Sequence, residues 1–243
     1  MERFEAFCGR IQKMIADEKT VSRKIENGRE LVSELTSRQD WFFDYLKKMI
    51  LEPAPAEIQK PGIWPNEFTL YRSPDKSFVV LAYIWDAKLA DIIHDHGSWG
   101  IIGTLCAKLG ERKYEQIDDG KQEGYAELRE TEHRVCGPGE TTFVLPLNKG
   151  LHAMDNPTDG IAVSVNVYGK TIGRGYLQFF DPEKRTVTRV FPPRTLKEVL
   201  AVKTLAAIDP SRAERVLLEA LGASRPPQLQ QEYEAALARI RGK

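Results

Sequence analysis

The segment IIHDHGSWGIIGTL, residues 92–105, contains two of the chain's four histidines, His94 and His96. An apolar run that ends at Trp85 precedes the segment, and the segment itself ends with a second apolar run, WGIIGTL. In a β-strand, residues two positions apart point to the same face, so both imidazoles can chelate one ion. The spacing alone is equally consistent with two histidines that only decorate a turn. The apolar runs on both sides favour a metal site.

A third histidine, His152, follows in VLPLNKGLHAMDN, residues 144–156. It lies between a turn that contains Pro and Gly and a further predicted strand. Because a barrel brings the ends of distant strands together, this position predicts a third ligand. The fourth histidine, His133, lies among charged residues in ETEHRV, and we interpret it as a surface residue.

The wider pattern predicts a mainly β fold with helices before and after it. Helical spacing of apolar residues and a Pro-rich stretch at 51–65 predict a helical N-terminal extension over residues 1–63, packed on a barrel. Residues 64–194 contain short runs of branched and aromatic residues between turn signals, which is typical of a sandwich or barrel. Residues 195–243 return to helical spacing, with Asp209-Pro210 as a helix start, Gly222 as a stop and a last helix that ends near Ile240.

The composition excludes several classes of partner. Lys plus Arg and Asp plus Glu balance at 35 each, so charge favours neither nucleic acid nor an anionic membrane as a partner. The chain has no apolar run long enough to span a membrane and no leader-like start, which predicts a cytoplasmic protein. Its three cysteines are too few for a disulfide framework, and Cys106 and Cys136 are interpreted as structural thiols because no activating base flanks them.

Two segments resemble the sequence motifs of cupin proteins. Residues 94–110, HDHGSWGIIGTLCAKLG, resemble the first motif, and residues 137–156, GPGETTFVLPLNKGLHAMDN, resemble the second, with Asn156 four residues after His152. The first motif usually has a glutamate four residues after its second histidine, where this chain has Gly100. A site of three histidines without a carboxylate resembles that of the cysteine dioxygenase-like thiol dioxygenases, and the resemblance runs from about Trp64 to Tyr168.

This resemblance implies a cupin barrel, the double-stranded β-helix, in which His94, His96 and His152 bind Fe(II). Three neutral imidazoles leave open positions for an anionic thiolate and for O2, so the implied reaction oxidises a small thiol to its sulfinate. Gly100, in place of a cysteine that crosslinks to a tyrosine, is similar to the 3-mercaptopropionate-type bacterial branch. Zinc or nickel also fits three histidines, so the choice of iron rests on the resemblance.

The strand IAVSVNVYG, residues 161–169, presents Ser164, Asn166 and Tyr168 on one face, because side chains alternate along a strand. The resembling family has a Ser-His-Tyr relay at this place, so we assign the three residues to the catalytic site. Asn166 replaces the relay histidine and cannot titrate near neutrality. The alternative is a polar trio whose members only satisfy one another.

Members of the resembling family hold a substrate carboxylate with an arginine, whose planar guanidinium suits this task. Arg174, in GKTIGRGYLQ, and Arg72, on a strand that approaches the site, are the two candidates, and both are also interpretable as surface residues. Trp99 is a candidate for the wall of the substrate pocket, although we favour the interpretation that its indole fills the core.

Two other functions remain open at this point. The first is a different metal-dependent cupin enzyme that acts on a substrate without a thiol, because one barrel hosts many chemistries. The second is a non-catalytic cupin that binds a metal or metabolite and signals through its terminal helices. A homodimer formed through the helical additions is a further expectation for the protein.

Overall fold

A computed structural model describes residues 2–51, 59, 62–222 and 226–242. The chain divides into two compact units, Met1–Gly173 with Gln178–Thr188, and Arg174–Leu177 with Arg189–Lys243. Much of the Pro-rich connector predicted at 51–65 lies outside the described residues. The barrel and the candidate site belong to the first unit.

Among the described residues, the first unit begins with the helices α1 (Glu2–Asp17), α2 (Val21–Thr36) and α3 (Asp40–Leu51). The Thr20 hydroxyl caps α2 by accepting a hydrogen bond from the Arg23 amide, which satisfies one of the free donors at the helix start. The apolar faces of these helices contribute Ile11, Val32 and Trp41 to the main core of the unit. The predicted N-terminal helices are confirmed.

The strands form two antiparallel sheets. One has the order β1-β2-β9-β4-β7 and the other the order β11-β10-β3-β8-β5-β6. This two-sheet architecture confirms the predicted cupin barrel with added helices. The strand bounds are β1 Glu67–Arg72, β2 Phe78–Trp85, β3 Ile93–His94, β4 Gly100–Cys106, β5 Leu109–Gln116, β6 Leu128–Cys136, β7 Thr141–Val144, β8 Leu151–Asp155, β9 Ala162–Gly169, β10 Leu177–Asp181 and β11 Thr186–Val190.

Strand β9 is buried along its whole length because both of its faces are covered. Val163, Val165 and Val167 belong to the core that includes the N-terminal helices. Ala162 and Tyr168 alternate with them and belong to a second core cluster, with Tyr83 and Trp85 of β2 among its members. The alternation therefore gives β9 one face for the helices and one for the barrel interior, as its sequence predicts.

Helix α2 lies directly on strand β4, and this contact leaves no room for a side chain at Gly103. A Cβ atom there would lie 2.5 Å from Val32 Cγ1 and 2.9 Å from Thr36 Cγ2. We expect Gly103→Ala to lower the free energy of unfolding by about 1–3 kcal/mol, because the added methyl group overpacks this contact. Urea denaturation measures the change.

Gly9→Ala on α1 is the matched control, because no atom lies within 4 Å of the added Cβ. Alanine favours a helix more than glycine does, so this control is expected to be neutral or stabilising. Equal unfolding midpoints for Gly103→Ala and the unmodified chain would show that α2 does not press on β4 as described.

The second unit contains three helices: α4 (Pro193–Ile208), α5 (Pro210–Leu221) and α6 (Pro227–Ile240). Asp209 caps α5 as predicted, since its carboxylate accepts a hydrogen bond from the Arg212 amide. Gly222 ends α5, and the last helix ends at Ile240. Across the ranges that the structure describes, none of the helices is both long and apolar enough to cross a membrane.

Candidate metal centre

Three buried histidines converge at one point inside the barrel. His94 ends strand β3 and pairs directly with His152 of β8, and His96 lies in the segment that follows β3. The strand thus stops two residues earlier than the predicted His-x-His strand requires, and a loop carries His96 to the site. The three ring centroids lie 4.8–4.9 Å apart.

The ligand atoms of these three histidines all lie within 4.8 Å of one another, so the group could hold a metal ion. His96 Nε2 and His152 Nε2 are 2.8 Å apart. Two nitrogens that bind one ion at about 2.0–2.1 Å in neighbouring positions come to about 3 Å from each other. The observed separation fits this arrangement.

Hydrogen bonds fix the direction in which two of the rings present their lone pairs. His94 Nδ1 lies 2.8 Å from the Ile92 carbonyl oxygen, and His152 Nδ1 lies 2.9 Å from Glu111 Oε1. Both partners are acceptors, so each Nδ1 carries the proton and donates it. The Nε2 atom of each ring is then unprotonated and available to a metal.

Burial favours the neutral form of two of the imidazoles, those of His94 and His96. It lowers the pKa of His94 to about 3, with a further contribution from His152, and it lowers the pKa of His96 well below its ordinary value, with contributions from His94 and His152. Neutral imidazole is the form that binds a metal, and it suits iron, zinc, nickel and copper. The donor set therefore fits a transition-metal ion.

Glu111 is a functional residue that the sequence analysis missed. It is 1% exposed on strand β5, where it holds His152 and also accepts a hydrogen bond from the Thr142 hydroxyl. Burial works against its charged form, but its contacts with His152, Lys113 and Thr142 outweigh burial and lower its pKa. A carboxylate behind a histidine ligand orients the ring and raises its basicity.

Aromatic side chains form much of the wall of a cavity of about 20 Å³ above the histidines. Trp64 lies against His94 with ring centroids 4.7 Å apart, and Tyr168 stacks on His96 at 5.1 Å. This volume exceeds the roughly 10–15 Å³ that one water molecule requires. The described residues that line the cavity are Trp64, Asn66, Tyr83, Trp85, Asp91, His94, His96, His152, Met154, Asn166 and Tyr168.

The three residues predicted on β9 lie on one side of that strand, but they do not have the same contacts. Asn166 and Tyr168 line the cavity, and Asn166 Nδ2 donates a hydrogen bond of 3.0 Å to the Tyr168 hydroxyl. The Ser164 hydroxyl lies 3.4 Å from Trp85 Nε1, from which it accepts a hydrogen bond. Ser164 thus fixes an indole of the wall, whereas Asn166 and Tyr168 face the site.

A chain of hydroxyl groups leads from Asn166 to a carboxylate. Tyr168 contacts Tyr83 through their hydroxyl groups, and the Tyr83 hydroxyl lies 3.1 Å from Glu67 Oε2. Burial raises the pKa of Tyr168 and of Glu67, although the Tyr83 hydrogen bond partly offsets the effect on Glu67. The sequence analysis did not identify Tyr83 or Glu67 as residues of the site.

Asp91 is a second acidic residue that the sequence analysis missed. It lines the cavity, and its Oδ1 accepts a hydrogen bond of 2.6 Å from the Met154 amide. Its Oδ2 lies 3.8 Å from His94 Nδ1. Burial raises the pKa of Asp91 well above its ordinary value, with the Met154 hydrogen bond acting in the opposite direction.

The remaining candidates lie elsewhere. Arg72 is exposed at the end of β1, where it contacts Thr69. Trp99 is buried in the main core, away from the cavity lining, in agreement with the core-filling alternative. Arg174 belongs to the second unit, and its guanidinium lies 4.4 Å above the Tyr176 ring.

His133 and the cysteines match their predicted surface and structural roles with two differences. His133 is exposed, but it stands in the middle of strand β6, which the sequence analysis did not predict around it. Cys136 is buried, and burial raises the pKa of its thiol. Cys106 is only half-buried at the end of β4.

Solved structures match parts of the chain at low sequence identity and low TM-score. The cupin domain of an XRE family transcriptional regulator from Enterobacter cloacae is 12% identical, with 42% of this chain and 93% of that chain covered and a TM-score of 0.31. The DMSP lyase DddQ from Ruegeria pomeroyi DSS-3 is 14% identical over 48% of this chain and 51% of that chain, with a TM-score of 0.32. A recombinant oxalate oxidase in complex with glycolate is 16% identical over 74% of this chain and 75% of that chain, with a TM-score of 0.34. No protein-family model matches the chain.

Proposed function

We propose that the protein is a non-haem Fe(II)-dependent dioxygenase that oxidises a small organic thiol to its sulfinate. The observation that carries this proposal is the convergence of three buried imidazoles, those of His94, His96 and His152, as the whole group of candidate ligands within the described residues. Glu111 contacts His152 at Nδ1, and Asp91 lies 3.8 Å from His94 Nδ1, so neither carboxyl group belongs to the group of candidate ligands. The donor set is therefore uncharged.

An uncharged donor set suits an anionic thiolate as substrate. Fe(II) bound there would keep its full positive charge, offer open positions and supply the redox chemistry of the reaction. Both atoms of O2 are added to the thiolate sulfur, which loses four electrons, and the product is a sulfinate. The four electrons reduce O2 completely, so the reaction needs no further reductant.

The protein residues hold and shield the reacting groups. Tyr168 presents its hydroxyl at the cavity wall, and the Asn166 amide fixes the position of this hydroxyl. Trp64, Tyr83 and Trp85 make the wall largely aromatic. A site of this kind excludes bulk water and strengthens the electrostatic attraction between the metal and a thiolate.

The contact between Gly100 and Tyr168 also supports the proposal. The two residues pair across strands β4 and β9, and a Cβ atom at position 100 would lie 2.5 Å from the Tyr168 ring. In the resembling dioxygenases, a cysteine at this position can crosslink to a tyrosine. Here glycine stands against the matching tyrosine, as in the branch without the crosslink.

Oxygen uptake by protein reconstituted anaerobically with Fe(II) tests the function. We expect one thiol among cysteine, 3-mercaptopropionate, cysteamine and mercaptosuccinate to drive uptake, with one O2 consumed per sulfinate formed. A chelator should abolish uptake and added Fe(II) should restore it, whereas zinc should not. Stoichiometric iron without uptake for any thiol would contradict the proposal and favour another cupin chemistry or a binding role.

A further inference from the structure

The cavity above the histidines is rich in hydrogen-bond acceptors and poor in positive charge. Its lining includes the carboxyl group of Asp91 and the amide of Asn166. Within the part of the chain that the structure describes, no lysine or arginine lines it. A carboxylate at the end of the substrate opposite the sulfur would therefore enter a desolvated space without a positively charged side chain as its partner, which is unfavourable.

Asn166 presents an acceptor that nothing in the described structure satisfies. The residue is 3% exposed, and its Oδ1 has no hydrogen-bond partner there. Buried polar atoms are nearly always hydrogen-bonded, and an unsatisfied one lowers stability. An atom of this kind in the wall of a cavity indicates a ligand that donates a hydrogen bond to it.

The hydrogen bond to Tyr168 supports this orientation of the amide. The Tyr168 hydroxyl oxygen lies 3.0 Å from Asn166 Nδ2 and accepts a hydrogen bond from it. The amide nitrogen of Asn166 is thus engaged, and the amide oxygen is the acceptor that is left without a partner.

The aromatic wall favours a cation in the same space. Trp64, Tyr83, Trp85 and Tyr168 line the cavity, and the faces of such rings attract ammonium groups. The Glu67 carboxylate lies one hydrogen bond behind this wall. The side chains around the cavity therefore have a charge distribution that is complementary to a positive group on the ligand and unfavourable for a negative one.

We propose that the substrate is a small aminothiol without a carboxylate, whose ammonium group donates a hydrogen bond to Asn166 Oδ1. This inference rests on the proposed thiol dioxygenase function and names its substrate class. Asn166 is then the residue that determines specificity at the end of the substrate opposite the sulfur. The expected carboxylate clamp by Arg72 or Arg174 has no place in this arrangement.

Three thiols with the same two-carbon chain on sulfur test the inference: cysteamine, 3-mercaptopropionate and ethanethiol. They carry an ammonium group, a carboxylate and no polar group, respectively. We expect kcat/KM for oxygen uptake to be at least about tenfold higher for cysteamine than for the other two, because a hydrogen bond with a charged partner has this magnitude. Anaerobic calorimetry on zinc-loaded protein should show the same order of affinities without turnover.

The variant Asn166→Leu removes the acceptor. It should raise the KM and the Kd for cysteamine about tenfold or more and leave ethanethiol within about twofold. Asn166→Asp, which keeps the shape and adds a negative charge, should retain cysteamine binding and serves if the leucine variant does not fold. Asn148→Leu, at an exposed position in the short turn Leu147–Gly150, is the matched control.

The outcomes separate the two proposals. Preference for 3-mercaptopropionate, or equal use of all three thiols, would overturn the inference and leave the dioxygenase function standing. Unchanged discrimination in Asn166→Leu would also overturn it. Selective binding of cysteamine to zinc-loaded protein, lost in Asn166→Leu but without oxygen uptake by the iron form, would support the cavity's selectivity and contradict the dioxygenase function.

Discussion

His152→Ala should abolish both metal binding and oxygen uptake. His152 is the one ligand that is paired with His94 across the sheet, held by Glu111 and directly beside His96. Removal of the His152 side chain leaves two candidate ligands, and the buried Glu111 carboxylate loses its histidine partner. Loss of a residue that only hydrogen-bonds to a metal ligand costs about 10–100-fold in metal affinity. Loss of the ligand itself should therefore cost more than about 100-fold. Metal analysis after dialysis, with oxygen uptake in parallel, measures the effect.

His133→Ala is the matched control for this variant. His133 is exposed on β6, and it belongs to the sheet that contains His94 and His152. The control should keep full metal content and full activity. Retention of stoichiometric metal by a folded His152→Ala protein, as judged by circular dichroism, would contradict the assignment of the three histidines as the metal centre.

Glu111→Gln should weaken metal binding by about 10–100-fold while the protein remains folded. Glutamine has nearly the same shape and can still accept a hydrogen bond from His152 Nδ1. Glutamine lacks the negative charge that keeps the proton on Nδ1 of His152 and makes this imidazole more basic. Competition between the protein and a chromophoric chelator measures the affinity.

The charge at position 111 also compensates the positive charge that a bound metal introduces. Lys113 lies 3.7 Å from Glu111 Oε2, so the variant leaves this ammonium group with Glu132 as its remaining partner. Glu130→Gln is the control, because Glu130 lies on the neighbouring strand β6 and forms an exposed pair with Arg112. Metal affinity that is equal in the two variants would show that Glu111 has only a structural role.

Spacing along the chain was enough to predict the neighbouring pair His94 and His96 and the alternating faces of β9, because both features are local. His94 and His96 are two residues apart, and alternation along β9 was enough to assign Asn166 and Tyr168 to the inner face. The fold class followed from the same alternation and from the turn residues between short strands. These features depend on spacing along the chain and not on the details of strand pairing.

Glu111 was not predictable in the same way. The strand LGERKYEQ contains four charged residues, which is typical of a solvent-exposed strand. Pairing with β8 places Lys113 opposite His152 and Glu111 opposite Met154, so Glu111 reaches His152 diagonally. Its burial depends on this register, for which the linear sequence has no clear signal.

The position of Arg72 shows a related limit. Glu67 and Arg72 are the two ends of β1, and Glu67 contacts the wall residue Tyr83. A strand rises about 3.3 Å per residue, so Arg72 lies about 16 Å further along. Arg72 is therefore on the strand that approaches the site, but at the end of that strand that lies away from the site. The sequence identified the strand, but not which of its two ends lies near the site.

The cross-strand pairing of His94 with His152 has a consequence for the abundance of the protein. His94 and His152 come together only when β3 and β8 pair, so the site exists only in the folded chain. An ion bound there therefore stabilises the folded state by mass action. Free metal at 1,000 times its Kd adds about 4 kcal/mol to the free energy of unfolding. Proteolysis acts on the unfolded fraction, so metal starvation would shorten the lifetime of the chain.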